Sequence, residues 1–201
     1  MDSIPAYLHF PNVNKLNTSQ FNHAAISEAS NDSDGSNNLT SEIEAVKLNP
    51  NSTFALHQSI LDGRIKQISY FLKMGFKVNS KDKYGRTCLM LACLSDHEEY
   101  GLKVAKLLIR KGADLNIRDS LGRTVVFIAC SERREKIFFY LMEEHSYSID
   151  FRVKDNDGNV LLNHVALHGT NRMLKKVIEK MKEKRIDLDH RNNAGKLINF
   201  L

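Results

Sequence analysis

Four short segments of the chain read as copies of one another: "DKYGRTCLMLAC" from Asp82, "DSLGRTVVFIAC" from Asp119, "DNDGNVLLNHVA" from Asp155 and "NNAGKLINFL" from Asn192. Their glycines, Gly85, Gly122, Gly158 and Gly195, lie 37, 36 and 37 residues apart. A further unit precedes them in "FALHQSILDGRIKQISYFLKMGFKVN", residues 54–79. Self-similarity at a fixed spacing of this size marks a solenoid, in which each supersecondary unit buries its apolar face only against its neighbours. Acids and glycines that recur with the period therefore belong to the architecture before they belong to any chemistry.

The residue types fit that reading position by position. Asp82, Asp119 and Asp155 each precede two residues and a Gly. This is tight-turn chemistry, in which the Gly takes positive φ and the carboxylate accepts from nearby backbone amides. Thr87 and Thr124 stand where a helix must start, with hydroxyls placed to cap free N–H groups. Leu89, Ala92 and Cys93, then Val126, Ala129 and Cys130, fall on one helical face. Gly112 follows a helical pattern at the usual place of a left-handed C-cap. The acids of "GADLNIRDSLGRT", Asp114 and Asp119, and its Asn116 are thus turn residues. General acid–base catalysis would need titratable groups converging in a closed pocket.

The unit resembles the ankyrin repeat, whose pattern runs roughly D-x-x-G-x-T-P-L-H-x-A-A, then a second helix ending L-L-x-x-G-A-D, then a closing N. "LLIRKGADLNIRDSLGRT", residues 107–124, follows the second part of it, and Leu56-His57 keeps the L-H pair in the first unit. The resemblance implies an all-α repeat solenoid of helix-turn-helix units with β-hairpin or turn fingers over residues 51–201. The units fall near 51–81, 82–118, 119–154 and 155–191, with an incomplete one at 192–201. The repeats are degenerate: the T-P-L-H tetrad survives as "TCLM", "TVVF" and "VLLN". Against a period of about 33 residues, the extra length is expected between the helices of the second unit at "LSDHEEYG", and around "EEHSYS" and "KEKRID" in the next two. There Ser148 and Arg185 replace the expected Gly, so those second helices should run longer or close differently.

Function follows from the same resemblance: a non-enzymatic module that binds another protein through the concave face, as an adaptor, scaffold or inhibitor. Carried over residue by residue, the finger tips are Lys83, Tyr84 and Arg86, then Ser120, Leu121 and Arg123, then Asn156, Asp157 and Asn159. The adjoining helix positions are Leu94 and Ser95, Ser131 and Glu132, and Leu167 and His168. Tyr84, Arg86 and Arg123 stand foremost among these, since Tyr and Arg dominate interface energetics. The ladder of Arg86 and Arg123 on consecutive tips suggests a partner with acidic or polar stretches.

Charge marks a boundary. Residues 1–50 hold Asp2, Glu28, Asp32, Asp34, Glu42 and Glu44 against Lys15 and Lys47, whereas the whole chain carries +5. This Asn/Ser-rich stretch has little apolar surface and no sustained period, so it reads as a disordered acidic tail, with a short helix around 41–47. At the other end, the basic amphipathic segment "RMLKKVIEKMKEKR", residues 172–185, offers a second reading as a site for nucleic-acid phosphates or anionic lipid. The solvated outer face of a repeat helix is the plainer account, and no aromatics for base stacking are interleaved.

Other candidates have plain explanations. Cys93 and Cys130 sit at equivalent positions and read as small core thiols, not a disulfide. His164 and His168, at i and i+4, supply too few ligands for zinc, so no metal or cofactor is expected. No Gly-rich phosphate loop or nucleophile elbow occurs, which leaves no basis for an enzyme. The first residues lack a basic region before their short apolar patch, and no run approaches the ~20 residues of a membrane span. An intracellular chain, cytoplasmic or nuclear, is expected. An uncapped fifth unit would leave an apolar end open to self-association.

Overall fold

Short helices cannot stand alone in water, and the repeat supplies each with a neighbour. The computed structural model describes residues 53–195, within a unit spanning Leu48 to Leu201. The expected acidic tail, its short helix and the residues after Gly195 lie outside the described residues. The helices are α1 (Thr53–Leu61), α2 (Ile65–Lys73), α3 (Cys88–Cys93), α4 (Glu98–Arg110), α5 (Val125–Ser131), α6 (Glu135–Glu144), α7 (Leu161–His168) and α8 (Asn171–Glu183). A 3-10 turn, Ser146–Ser148, follows α6. No strand forms among them; the finger between α2 and α3 is closed by one isolated bridge, Lys81 to Thr87.

Each helix packs against its partner in the pair, and the pairs stack in order. The first helices α1, α3, α5 and α7 make one row, and α4, α6 and α8 make another. Composition explains which helix goes where. Every residue of Cys88–Cys93 and of Val125–Cys130 is buried, because these short helices are apolar on all sides and have neighbours on all sides. In α8 only Met173, Val177 and Met181 are buried, a single stripe at fourfold spacing.

The helix ends keep part of the repeat's expected chemistry and change the rest. Gly112, at φ 85°, closes α4, with Ala113 N–H donating to the Leu108 carbonyl at 3.0 Å. Arg185 makes the same closure in α8 at φ 54°, its successor Ile186 donating to the Met181 carbonyl at 2.9 Å. The chain therefore keeps the geometry and loses the Gly. α6 does close differently, through the 3-10 turn. Thr87 caps α3 by accepting from Met90 N–H at 3.4 Å, but Thr124, at the equivalent position, makes no cap bond with its side chain.

The "LSDHEEYG" insertion is not all connector. Only residues 94–97 link the helices, and Glu98 to Gly101 form the first turn of α4. The acids Glu98 and Glu99 suit that helix start electrostatically. Gly101 admits the backbone of α3: a Cβ there would lie 2.4 Å from the Ala92 carbonyl oxygen.

Candidate partner-binding face

Three of the fingers are built around one carboxylate each, and the last is led by the amide of Asn192. Asp82 Oδ1 accepts from the backbone N–H groups of Tyr84 and Arg86, both at 2.8 Å, and Oδ2 accepts from Arg86 Nε at 2.7 Å. Asp119 repeats the arrangement with Leu121 at 3.0 Å and Arg123 at 2.9 Å, and its Oδ2 takes both Nε (3.0 Å) and Nη2 (2.7 Å) of Arg123. Asp155 does the same for the amides of Asp157 (2.9 Å) and Asn159 (2.8 Å). Here Asn159 Nδ2 at 3.0 Å and His164 Nε2 at 2.7 Å replace the guanidinium.

These bonds correct the expectation for Arg86 and Arg123. Both were read as exposed recognition cations; they are 8% and 6% exposed and tie down their own fingers. A guanidinium fits that place because its planar donors match a carboxylate, and a buried carboxylate demands a partner. Asn159 likewise turns inward to Asp155 instead of presenting itself at the tip.

Consecutive fingers are knitted by main chain. Ser120 N–H donates to the Tyr84 carbonyl, Asn156 N–H to that of Leu121 and Asn193 N–H to that of Asp157, each at 3.0 Å. This approach is why the finger glycines recur. Gly122 stands at φ 79°, and a Cβ there would lie 2.9 Å from Asn156 N. Asn79 and Asn116 add a second seam: each accepts from a backbone N–H one unit on, Asp114 or Asp150, at 2.9 Å.

The knitting puts Tyr84, Leu121 and Asp157 in one register. Tyr84 is 39% exposed and Leu121 43%. Lys83 Nζ lies 5.0 Å and Arg86 Cζ 4.8 Å from the Tyr84 ring centroid, within cation–π range. Lys83, Ser120, Asn156 and Asp157 are exposed. On the first helices, Leu94, Ser95, Ser131, Glu132 and His168 are half-buried and Leu167 is 72% exposed. Leu61, exposed at the end of α1, occupies the register of Leu94, Ser131 and Leu167. The first unit has no D-x-x-G segment, so the carry-over of tip and helix positions did not extend to it.

Electrostatics on this side are local. Burial pushes the Glu132 carboxyl up, and Arg134 and Arg123 pull it back. Burial holds His168 toward its neutral form, with His164 and Arg133 adding to the effect. His164 itself is a core histidine bonded to Asp155, and its ring lies 4.7 Å from that of Phe127. Among the described residues, no three His, Cys, Asp or Glu gather to hold a metal. The cysteines are free and buried, and burial pushes each thiol up to about 12, far from a reactive thiolate.

The basic helix is largely engaged within the chain. Lys176 pairs with Glu179 at 3.1 Å and Lys180 with Glu183 at 2.9 Å. Arg172 lies over the Phe139 ring at 4.8 Å and Lys184 over Phe151 at 5.7 Å. Lys175, Lys182 and Arg185 remain exposed without ion pairs among the described residues.

Stacked helix pairs joined by carboxylate-locked fingers define a helical-repeat solenoid. The family model for ankyrin repeats (3 copies) matches residues 21–119 and 98–192, and the chain belongs to the ankyrin repeat family. No curated protein matches the sequence. Ankyrin repeats generally mediate protein–protein interaction, and proteins built from them are typically non-enzymatic. No helix among the described residues is long and apolar enough to cross a membrane.

Proposed function

We propose that the protein is a non-enzymatic binding module, an adaptor or inhibitor, that grips another protein with its fingers and the adjoining ends of its first helices. One observation carries the reading: Tyr84 and Leu121, large apolar side chains on consecutive fingers, stand exposed in a shared register on an array stiffened by hydrogen bonds. A rigid aromatic anchor such as Tyr84 suits an interface hot spot, and the apolar Leu121 beside it helps exclude water. Lys83, Ser120, Asn156 and Asp157 supply the polar rim, and Leu94, Ser95, Ser131, Glu132, Leu167 and His168 the floor. An intracellular setting, cytoplasmic or nuclear, is part of the proposal and fits three cysteines kept as free thiols.

A photo-crosslinking residue at Leu121, set against one at Tyr147 outside this face, would capture the partner from lysate. The affinity of the purified partner for the full chain should then fall roughly tenfold or more on Tyr84→Ala with Leu121→Ala. An unchanged affinity would show that this face is the wrong one. Phosphate or anionic-lipid binding through residues 172–185 is the weaker alternative, since most of its cations already have partners.

A further inference from the structure

A cation stands immediately before the lead residue of every finger: Lys81, Arg118, Lys154 and Arg191, at intervals of 37, 36 and 37 residues. All four are exposed. Lys81 Nζ donates to the Arg118 carbonyl at 2.9 Å, which sets one cation against the backbone of the next rung. Arg118 Nε donates to the Gly122 carbonyl and Arg191 Nη1 to that of Gly195, each at 3.0 Å, so these guanidiniums lie along their own fingers. None of the four is in an ion pair among the described residues. The finger aspartates cannot neutralise them, because those carboxylates are spent on Arg86, Arg123 and His164. The result is a column of positive charge with one rung per repeat.

We infer that this column docks an extended acidic segment of a partner protein, one carboxylate to each rung. The spacing supports that occupant. Packed helices, and so successive rungs, are about 8–10 Å apart. A polyproline II segment has three residues per turn and rises about 3.1 Å per residue, so every third side chain points the same way at about 9 Å intervals. An acid at every third position therefore meets the rungs one for one. A duplex strand offers a phosphate about every 3.4 Å, which would leave roughly two of every three without a cation. The column uses none of the side chains of the Tyr84 and Leu121 row, so either proposal can fail alone.

The test is fluorescence anisotropy of the full chain with a labelled repeating Glu-Pro-Ala peptide of about fifteen residues, against its Gln-Pro-Ala counterpart and a DNA duplex. The Glu peptide should bind at least about tenfold tighter than the Gln peptide, with an affinity that falls as salt rises. Replacing Lys81, Arg118, Lys154 and Arg191 together by Gln should weaken it roughly thirtyfold, at about twofold to threefold per exposed charge pair. Tyr84→Ala with Leu121→Ala should leave it unchanged. Because Arg118 and Arg191 also brace their fingers, Lys154→Glu is the decisive single variant. The fold assigns its side chain no hydrogen bond, and reversing its charge should cost about fivefold. Equal binding of the Glu and Gln peptides, indifference to Lys154→Glu, or a DNA duplex that outcompetes the Glu peptide would overturn the inference.

Discussion

The finger of Asp119 and the finger of Asp155 have the same backbone geometry and different chemistry at the lock. In the first, a permanently charged guanidinium reaches Asp119 from four residues on, with both groups buried. In the second, that position is Asn159, and the remaining polar atom comes from His164, on the helix behind. The turn is thus specified by the carboxylate accepting two backbone N–H groups, and the counter-group can be supplied by whatever element lies within reach. The difference also separates a carboxylate held by a guanidinium from one held by an amide and an imidazole.

The largest effect should come from breaking the charged lock. Asp119→Asn would leave Arg123 buried beside a neutral side chain, and truncating a buried pair costs about 3–5 kcal/mol. Urea unfolding followed by circular dichroism measures it. Asp155→Asn should cost less, about 1–3 kcal/mol, because no permanently charged guanidinium is left buried without its counter-ion. Equal losses would mean that the two locks are energetically alike.

Next comes the backbone. Gly122→Ala forces a Cβ to 2.9 Å from Asn156 N as well as into positive φ, whereas Gly112→Ala meets nothing within 4 Å. The latter should cost about 1 kcal/mol, the strain of a left-handed Ala. The former should exceed it by at least about as much again, because the next finger must also shift. Thermal melts of the pair decide whether finger glycines serve conformation alone or also close approach.

Acidification should sharpen the contrast. Burial raises the Asp155 carboxyl, but hydrogen bonds from His164 and Asn159 more than offset it, so it lies below the ordinary range. A carboxyl depressed by folding contributes stability above its unfolded value, and that contribution is lost as the pH falls through the folded one. His168, depressed mainly by burial, acts in the same direction at higher pH: stability declines once the pH drops below the ordinary histidine value of about 6.5. Wild type should therefore lose stability in two stages. His168→Gln should remove the first, and Asp155→Asn should reduce the second, to which Glu99, lowered by Lys136, also contributes. Unfolding midpoints across pH 8 to about 3 would follow both.

The smallest effect should be a gain. Arg133, at φ 52°, occupies the place in its unit that Gly63, at φ 75°, holds in the first, and Arg185 the place of Gly112. Arg133→Gly or Arg185→Gly should stabilise by about 0.5–1 kcal/mol, the relief of left-handed strain less the added chain entropy of Gly. A decrease in melting temperature would show that the arginine side chains contribute more than the backbone strain costs.

How much was legible can be judged from individual residues. The repeat, the fingers, the helix pairs and the buried cysteines followed from local rules: Gly where φ is positive, Asp where two amides need an acceptor, apolar residues at helical spacing. Exposure of the proposed surface was legible only in part. Tyr84, Leu121 and Leu167 are exposed as the finger and helix positions imply. Arg86 and Arg123 are buried; the pattern that puts an Arg four residues after an Asp looks the same whether the pair lies on the surface or is enclosed.

The chain's own letters determined the period, the turn chemistry and hence the ankyrin class, since each depends on interactions within a few residues. Tertiary structure alone decided which charges are consumed and which are left free. That outcome depends on the stack, which encloses Arg123 with Asp119 and leaves Lys81, Arg118, Lys154 and Arg191 outside. Burial is a property of the stack, and no single repeat contains it.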